Sequence, residues 1–291
     1  MGTVEEGRDG PESYVLALSC PDRIGIVTAV SGALADHGYN ILESKQFDDR
    51  LSGRFFMRVE VEALRPDSHD VTETFSELGS RFDMEWSWHD SDERPRLLIL
   101  VSRFGHCLND LLYRYSVGSL RVRIPAIVSN HTDFEPLAKS HSIDFHYLPV
   151  TPETKAEQEE AVLALAERYE IDLVVLARYM QILSPELTNR LAGRMINIHH
   201  GLLPSFKGAR PYRQAYERGV KVIGATAHYV TDLLDEGPII EQVVQPVDHS
   251  MTPADLAEVG RDIECQALAH AVSWHVEHRV FLNGNRTVVF R

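Results

Sequence analysis

Cysteine is scarce in this chain: Cys20, Cys107 and Cys265 are the only three among 291 residues. They are far apart and form no CxxC pair. An odd, sparse set argues against a disulfide framework and a cysteine zinc cage, and reduced thiols fit a cytoplasmic setting. Basic residues are also in deficit, with 29 Lys and Arg against 43 Asp and Glu, a formal net charge of -14. That balance argues against a nucleic-acid partner, which needs a basic face. Long apolar runs are missing, so no membrane span is expected. Met1 to Glu12 is polar and mostly acidic, without the basic start and apolar stretch of a secretion signal.

What remains is ordinary globular material, 44% hydrophobic and 25% charged, long enough for two domains. The first part reads strand, helix, strand, strand, helix, strand. Tyr14 to Ser19 is a short apolar strand. Ile24 to Ala35 has helical periodicity, with Asp22 as N-cap and Gly38 as terminator. Ile41 to Phe47 and Arg54 to Val61 are extended, Val71 to Arg81 is a second helix, and Phe82 to Trp88 closes the set. This βαββαβ order predicts a ferredoxin-like antiparallel sheet with both helices on one face. Asp90 to Pro95 is charged and closed by proline, so it reads as a linker.

Beyond the linker the pattern changes. Leu97 to Val101, Val122 to Val128, Leu173 to Leu176 and Met195 to Ile198 are apolar strands, with helical stretches between them such as Lys155 to Tyr169. Alternation of this kind predicts a Rossmann-like, mostly parallel sheet covered on both faces. Ligands then bind beyond the carboxyl ends of its strands. Asn283-Gly284 between two apolar runs predicts a closing hairpin. The expected domains are 12–89, a linker 90–95, and 96–291.

Asn197-Ile198-His199 ends one of these strands. Alternation puts Asn197 and His199 on the same side. An amide donor beside an imidazole suits acyl transfer: the amide can bond the oxygen that becomes negative, and the imidazole can move protons near neutral pH. Asp235, in the loop Asp232 to Gly237, is a carboxylate that would orient His199 and favour its charged form. Taken singly, each residue has a plain structural reading: a strand-end histidine, a turn asparagine, a solvated loop acid. Spacing alone does not join Asp235 to His199.

Resemblance joins them. Asn197-Ile198-His199 with Leu202-Leu203-Pro204-Ser205-Phe206-Lys207-Gly208, then Gly224 to His228, Leu234 to Ile240, and Ala177 to Leu183, resembles the folate-dependent formyltransferase family over roughly residues 96 to 290. The resemblance implies that Asn197, His199 and Asp235 form the catalytic set. It implies that Met180, Gln181, Ile182 and Leu183, with Asp232, Leu233 and Leu234, hold the pterin of a 10-formyltetrahydrofolate substrate. No prosthetic group and no metal are implied. His200 follows His199, as in the deformylase branch of the family, whereas Gly201 stands where that branch usually keeps a serine.

The acceptor of the formyl group is the remaining question. Ser102-Arg103-Phe104-Gly105-His106-Cys107-Leu108 follows the first strand of this region, and one glycine among bulky side chains makes a poor phosphate nest. No RNA-binding extension follows the hairpin. The resemblance to the deformylase branch then implies water as the acceptor, with tetrahydrofolate and formate as the expected products and purine synthesis and one-carbon balance as the expected use. Formyl transfer to an amine and a non-catalytic amino-acid sensor are the rival readings. Pro21-Asp22-Arg23-Ile24-Gly25-Ile26-Val27 and Gly38-Tyr39-Asn40-Ile41 resemble the ACT family of regulatory domains over residues 12 to 88. That resemblance implies an effector site at Asp22, Gly25, Asn40 and Ile41, an amino-acid effector with glycine and methionine the first to try, and a homo-oligomer, a dimer of dimers. An ACT domain that serves assembly alone is an equal reading.

Overall fold

The computed structural model describes residues 12–64, 70–205 and 211–291. Phe206, Lys207 and Gly208 of the quoted motif, and the start of the chain before Glu12, lie outside the described residues. Two compact units emerge: residues up to Glu93 with 277–283 and 288–291, and Arg94–Val276 with 284–287.

The first unit contains β1 (Ser13–Pro21), α1 (Ile26–Asp36), β2 (Tyr39–Asp49), β3 (Arg54–Ala63), α2 (Thr72–Phe82) and β4 (Glu85–Asp90). Its strands are ordered β2-β3-β1-β4, all pairs antiparallel. Leu16, Leu18 and Cys20 of β1 and Met57, Val59 and Val61 of β3 face one way, and Ile26, Val30 and Leu34 of α1 and Phe75 of α2 join them in one core. The helix starts at Gly25 rather than Asp22. Gly25 has φ +97°, a left-handed conformation that costs a glycine little, and no side chain caps the helix.

The second unit contains β5 (Arg96–Val101), α3 (His106–Ser116), β6 (Arg123–Ser129), α4 (Glu135–Ser140), β7 (Asp144–Tyr147), α5 (Lys155–Arg168), β8 (Leu173–Leu176), α6 (Pro185–Arg190), β9 (Met195–His199), α7 (Pro211–Glu217), β10 (Val222–Tyr229), β11 (Ile239–Pro246) and α8 (Pro253–Val276). The sheet order is β11-β10-β9-β8-β5-β6-β7. β9, β8, β5, β6 and β7 run parallel, while β10 and β11 are antiparallel. Leu97 to Val101 are fully buried, as expected for a strand covered on both faces.

The chain closes with β12 (Val280–Asn283) and β13 (Arg286–Val289). The two residues between the strands are Gly284 and Asn285, with Gly284 at φ +61°, so the turn sits one position later than an Asn-Gly centre predicts. The reason lies in Asn283, whose amide is buried and donates to Asp49 Oδ2 at 2.7 Å. Within the first unit, the buried Arg58 similarly donates to Glu43 Oε2 at 2.9 Å and to the Glu277 carbonyl at 3.0 Å.

Candidate active site

β9 and β8 lie side by side near the middle of the sheet, and their carboxyl ends open on one cavity of about 250 Å³. Asn197 and His199, two apart on β9, both line it. The turn after β10 brings in Asp235, whose Oδ2 is 3.2 Å from His199 Nδ1. Burial would raise the Asp235 carboxyl. The hydrogen bond from His199 and the nearby imidazoles of His199, His228 and His200 outweigh that effect and hold it below the usual carboxylate range. His199 is 4% exposed, and its Nε2 is buried without a hydrogen-bond partner.

The turn depends on close backbone approach. A Cβ on Gly237 would stand 1.7 Å from the Tyr229 carbonyl oxygen, and Tyr229 N–H donates to the Pro238 carbonyl at 2.9 Å. Asp235 itself has φ +56°, a conformation Asp tolerates better than most side chains. The loop after β8 is held from the neighbouring strand: Ser102 Oγ accepts from Met180 N–H at 3.0 Å and donates to Asn130 Oδ1 at 2.8 Å. Met180, Gln181, Ile182, Leu183, Asp232, Leu233 and Leu234 all line the cavity. Met180, Ile182, Leu233 and Leu234 are large apolar side chains left more than half exposed, an arrangement that suits a flat aromatic ring.

Three features escaped the sequence reading. The first is His228, which pairs across the strands with Asn197. Its Nδ1 lies 2.8 Å from the Tyr229 carbonyl oxygen and its Nε2 3.2 Å from Asn197 Nδ2. A carbonyl only accepts, so Nδ1 carries the proton and Nε2 accepts from the amide. Burial lowers the His228 pKa, which keeps the ring neutral. One amide N–H of Asn197 is thereby fixed, and the Nδ2 end of the side chain is defined. The second is Thr226, opposite His199, which donates to the Gly201 carbonyl at 2.7 Å and accepts from Leu203 N–H at 3.1 Å, tying down the segment after β9.

The third is a buried polar cluster on α8. Glu264 is 1% exposed, and its carboxylate meets His106 Nε2 at 2.7 Å, the Tyr212 hydroxyl at 2.5 Å and Arg178 Nε at 3.4 Å. Ligand atoms of His106, Cys107 and Glu264 lie within 4.8 Å of one another. Tyr212 and His106 already engage one carboxylate oxygen each, and a hydrogen bond to Cys265, reinforced by burial, keeps the Cys107 thiol protonated, so the cluster reads as a hydrogen-bonded anchor. The strand-to-helix segment leading into it, 102–108, is a packed turn: the Phe134 ring fills the space beside Gly105.

The residues expected at the effector site do not meet within one chain. Asn40 pairs with Glu62, which also faces Ser13, whereas Asp22 and Gly25 follow Pro21 at the other end of β1. Eight residues of strand separate the two ends by roughly 25 Å. Asn40 Nδ2 donates to Glu62 Oε1 at 2.9 Å, and Ile41 is 36% exposed.

A sheet of this order, with an amide and an imidazole on one strand end and a carboxylate in the turn after β10, has the parts of an acyl-transfer site. The formyl transferase family model matches residues 95–272, and the ACT domain model matches residues 14–79. The chain belongs to the formyl transferase family and carries an ACT domain, and its relatives include formyltetrahydrofolate deformylases. One of these, from Corynebacterium sp. (strain P-1), is 51% identical over 280 residues, covering 96% of this chain and 98% of the relative. The Escherichia coli (strain K12) formyltetrahydrofolate deformylase is 42% identical over 94% of this chain and 97% of its own length. The crystal structure of the Burkholderia mallei formyltetrahydrofolate deformylase superposes with a TM-score of 0.91 at 54% identity, covering 97% of this chain and all of that one. Glycinamide ribonucleotide transformylase 1 from Symbiobacterium toebii matches 70% of this chain and 97% of its own, at 30% identity and a TM-score of 0.65.

Proposed function

We propose that this protein hydrolyses 10-formyltetrahydrofolate to tetrahydrofolate and formate. Full-length likeness to formyltetrahydrofolate deformylases supports the reaction, and the observation that carries the site is the His199–Asp235 contact at 3.2 Å beside Asn197 in one cavity. Water attacks the formyl carbon. Asn197, its amide oriented by His228, donates to the carbonyl oxygen as that oxygen gains charge, and His199 donates to it from Nε2. Asp235 holds His199 by Nδ1 and balances the imidazolium. Such preorganised donors act where charge develops and are worth about 3 kcal/mol each. The apolar side chains after β8 and β10 take the pterin, with Gln181 and Asp232 for its polar edge. No prosthetic group enters the scheme.

Among the described residues no helix is long and apolar enough to cross a membrane. A cytoplasmic setting, with the formate passed to purine synthesis, fits a folate-consuming enzyme. The ACT domain takes an amino acid, glycine or methionine, in a homo-oligomer; residues at opposite ends of its sheet can share one effector only if two copies face each other. Formyl transfer to an amine is the competing reading. Incubation of the purified protein with 10-formyltetrahydrofolate alone decides between them. Equal amounts of tetrahydrofolate and formate support hydrolysis; turnover only when an amine is added overturns it.

A further inference from the structure

His200 has no part in the scheme above, yet it stands in the same cavity. In a continuing strand, consecutive side chains point to opposite faces. β9 ends at His199, and the bend at His200 turns the second ring back beside the first: their centroids are 5.3 Å apart and their planes differ by 28°. His200 also lines a small second cavity with Gly201, Leu202 and Tyr212, so it forms the wall between the two spaces. Among the described residues it has no hydrogen-bond partner, whereas His199 is held by Asp235.

We propose that His200 is a second catalytic imidazole, the group that takes the proton from the attacking water. This inference rests on the hydrolytic reading above. Its first support is a counting argument. A His199 that donates to the oxyanion from Nε2 and to Asp235 from Nδ1 carries protons on both nitrogens, and an imidazolium has no lone pair left to accept a third. The proton of the water therefore needs another acceptor. Asp235 keeps Oδ1 without a close partner, 3.8 Å from His228 Nε2, but its charge has to stay in place to balance the imidazolium of His199; His228 Nε2 is engaged by Asn197. His200 is the neighbouring base with both nitrogens uncommitted.

The second support is its surroundings. Arg178 from the end of β8, Glu264 on α8, Tyr212 on α7, His199 on β9 and Asp235 in the turn after β10 are the charged and titratable groups around it. Burial first, and then the positive charge of Arg178, push its pKa down to about 4. The two adjacent rings are thus set apart, one against a carboxylate and one near a guanidinium, the division that separates acid and base duties between like groups. The Tyr212 ring stands 6.3 Å away, and its hydroxyl is fixed to Glu264, which also holds His106 and meets Arg178. That anchor fixes the wall on which His200 sits.

The water O–H bond breaks and its proton passes to a His200 nitrogen, while the oxygen bonds the formyl carbon and the carbonyl pair moves to oxygen. The tetrahedral intermediate collapses, the pair returns, the C–N10 bond breaks, and N10 takes the proton that His200 carried. Formic acid leaves and gives its proton to solvent as formate.

The test uses the full chain with 10-formyltetrahydrofolate and no amine. Wild type, His200→Gln and His200→Ala are compared for kcat, KM and thermal melting, and His200→Ala is assayed again with added imidazole. Expected are a kcat loss of roughly a hundredfold or more in both variants, KM within a few-fold of wild type, and recovery of rate with the free-base form of imidazole. Retention of kcat in His200→Gln overturns the inference even if His200→Ala fails to fold. Loss of kcat in a folded His200→Ala that imidazole does not restore overturns it too. A wild type that releases no formate overturns the hydrolytic reading itself, and this inference with it.

Discussion

The carboxylate of Asp235 touches His199 at 3.2 Å, and that hydrogen bond holds it below the usual carboxylate range. Asp235→Asn keeps the shape and removes the charge, so kcat is expected to fall roughly a hundredfold or more with the melting temperature nearly unchanged; steady-state kinetics and calorimetry check this together. Asn197→Ala should lower kcat by roughly two to three orders of magnitude and leave KM close to wild type, because its hydrogen bond strengthens only as the oxygen becomes negative. A change confined to KM would make Asn197 a binding residue. His228 gives a pH signature. Its folded pKa is depressed by burial, with Asp235 opposing and His199 adding to the shift. Its neutral, working form therefore persists on lowering the pH past the normal imidazole range and is lost only further into acid. Protonation there would place a donor against Asn197 Nδ2 and drive the amide to turn over. The expected outcome is a kcat profile with an acid limb below the usual histidine range that becomes shallower in His228→Gln, where the other groups of the site still titrate. Asn197 and His199 were legible because a strand has a two-residue period. His228 was not, because β10 is buried on both faces from Ile223 to Tyr229 and shows no alternation that would mark a functional side.

At the scale of elements, the strands feeding the site were readable from short apolar runs: Leu173–Leu176 coincides with β8, and Met195 to Ile198 misses only the last residue of β9. β7 and α8 carry no comparable signal. β7 is four residues with polar members, Asp144 and His146. α8 buries Leu256, Ile263, Glu264 and Ala267, so it mixes a charged residue into its inward face and blurs the apolar stripe. The turn from Asp232 to Gly237 makes a separate prediction. A Cβ at Gly237 collides with the Tyr229 carbonyl, and the turn must shift by ångströms to relieve it. Gly237→Ala is expected to move Asp235 off His199. The loss of kcat should approach that of Asp235→Asn, although no catalytic side chain has been altered; kinetics of the two variants and their double mutant, which should lose little more than either, check the shared cause.

For the whole molecule, one chain leaves Asn40 and Ile41 at one end of its first sheet and Asp22 and Gly25 at the other. An effector that uses all four must join two copies, so its action should weaken on dilution. Glycine or methionine is expected to change the hydrolysis rate at high protein concentration, with a shift in folate affinity of about 5–150-fold if coupling acts on binding. Rate measurements across a dilution series, with calorimetry for each amino acid, check it; no response and no binding at any concentration leaves the unit an assembly module. The same unit also has a claim on the order of synthesis. Its buried Arg58 is satisfied in part by the carbonyl of Glu277, 219 positions later, and the turn at Asp49 receives the amide of Asn283. When the first ninety residues have left the ribosome, those partners do not yet exist. At ordinary elongation rates they arrive roughly ten to forty seconds afterwards. The earliest part of the polypeptide is thus among the last to be finished, and a nascent chain spends that interval with a cation beneath its sheet still waiting for one of its acceptors.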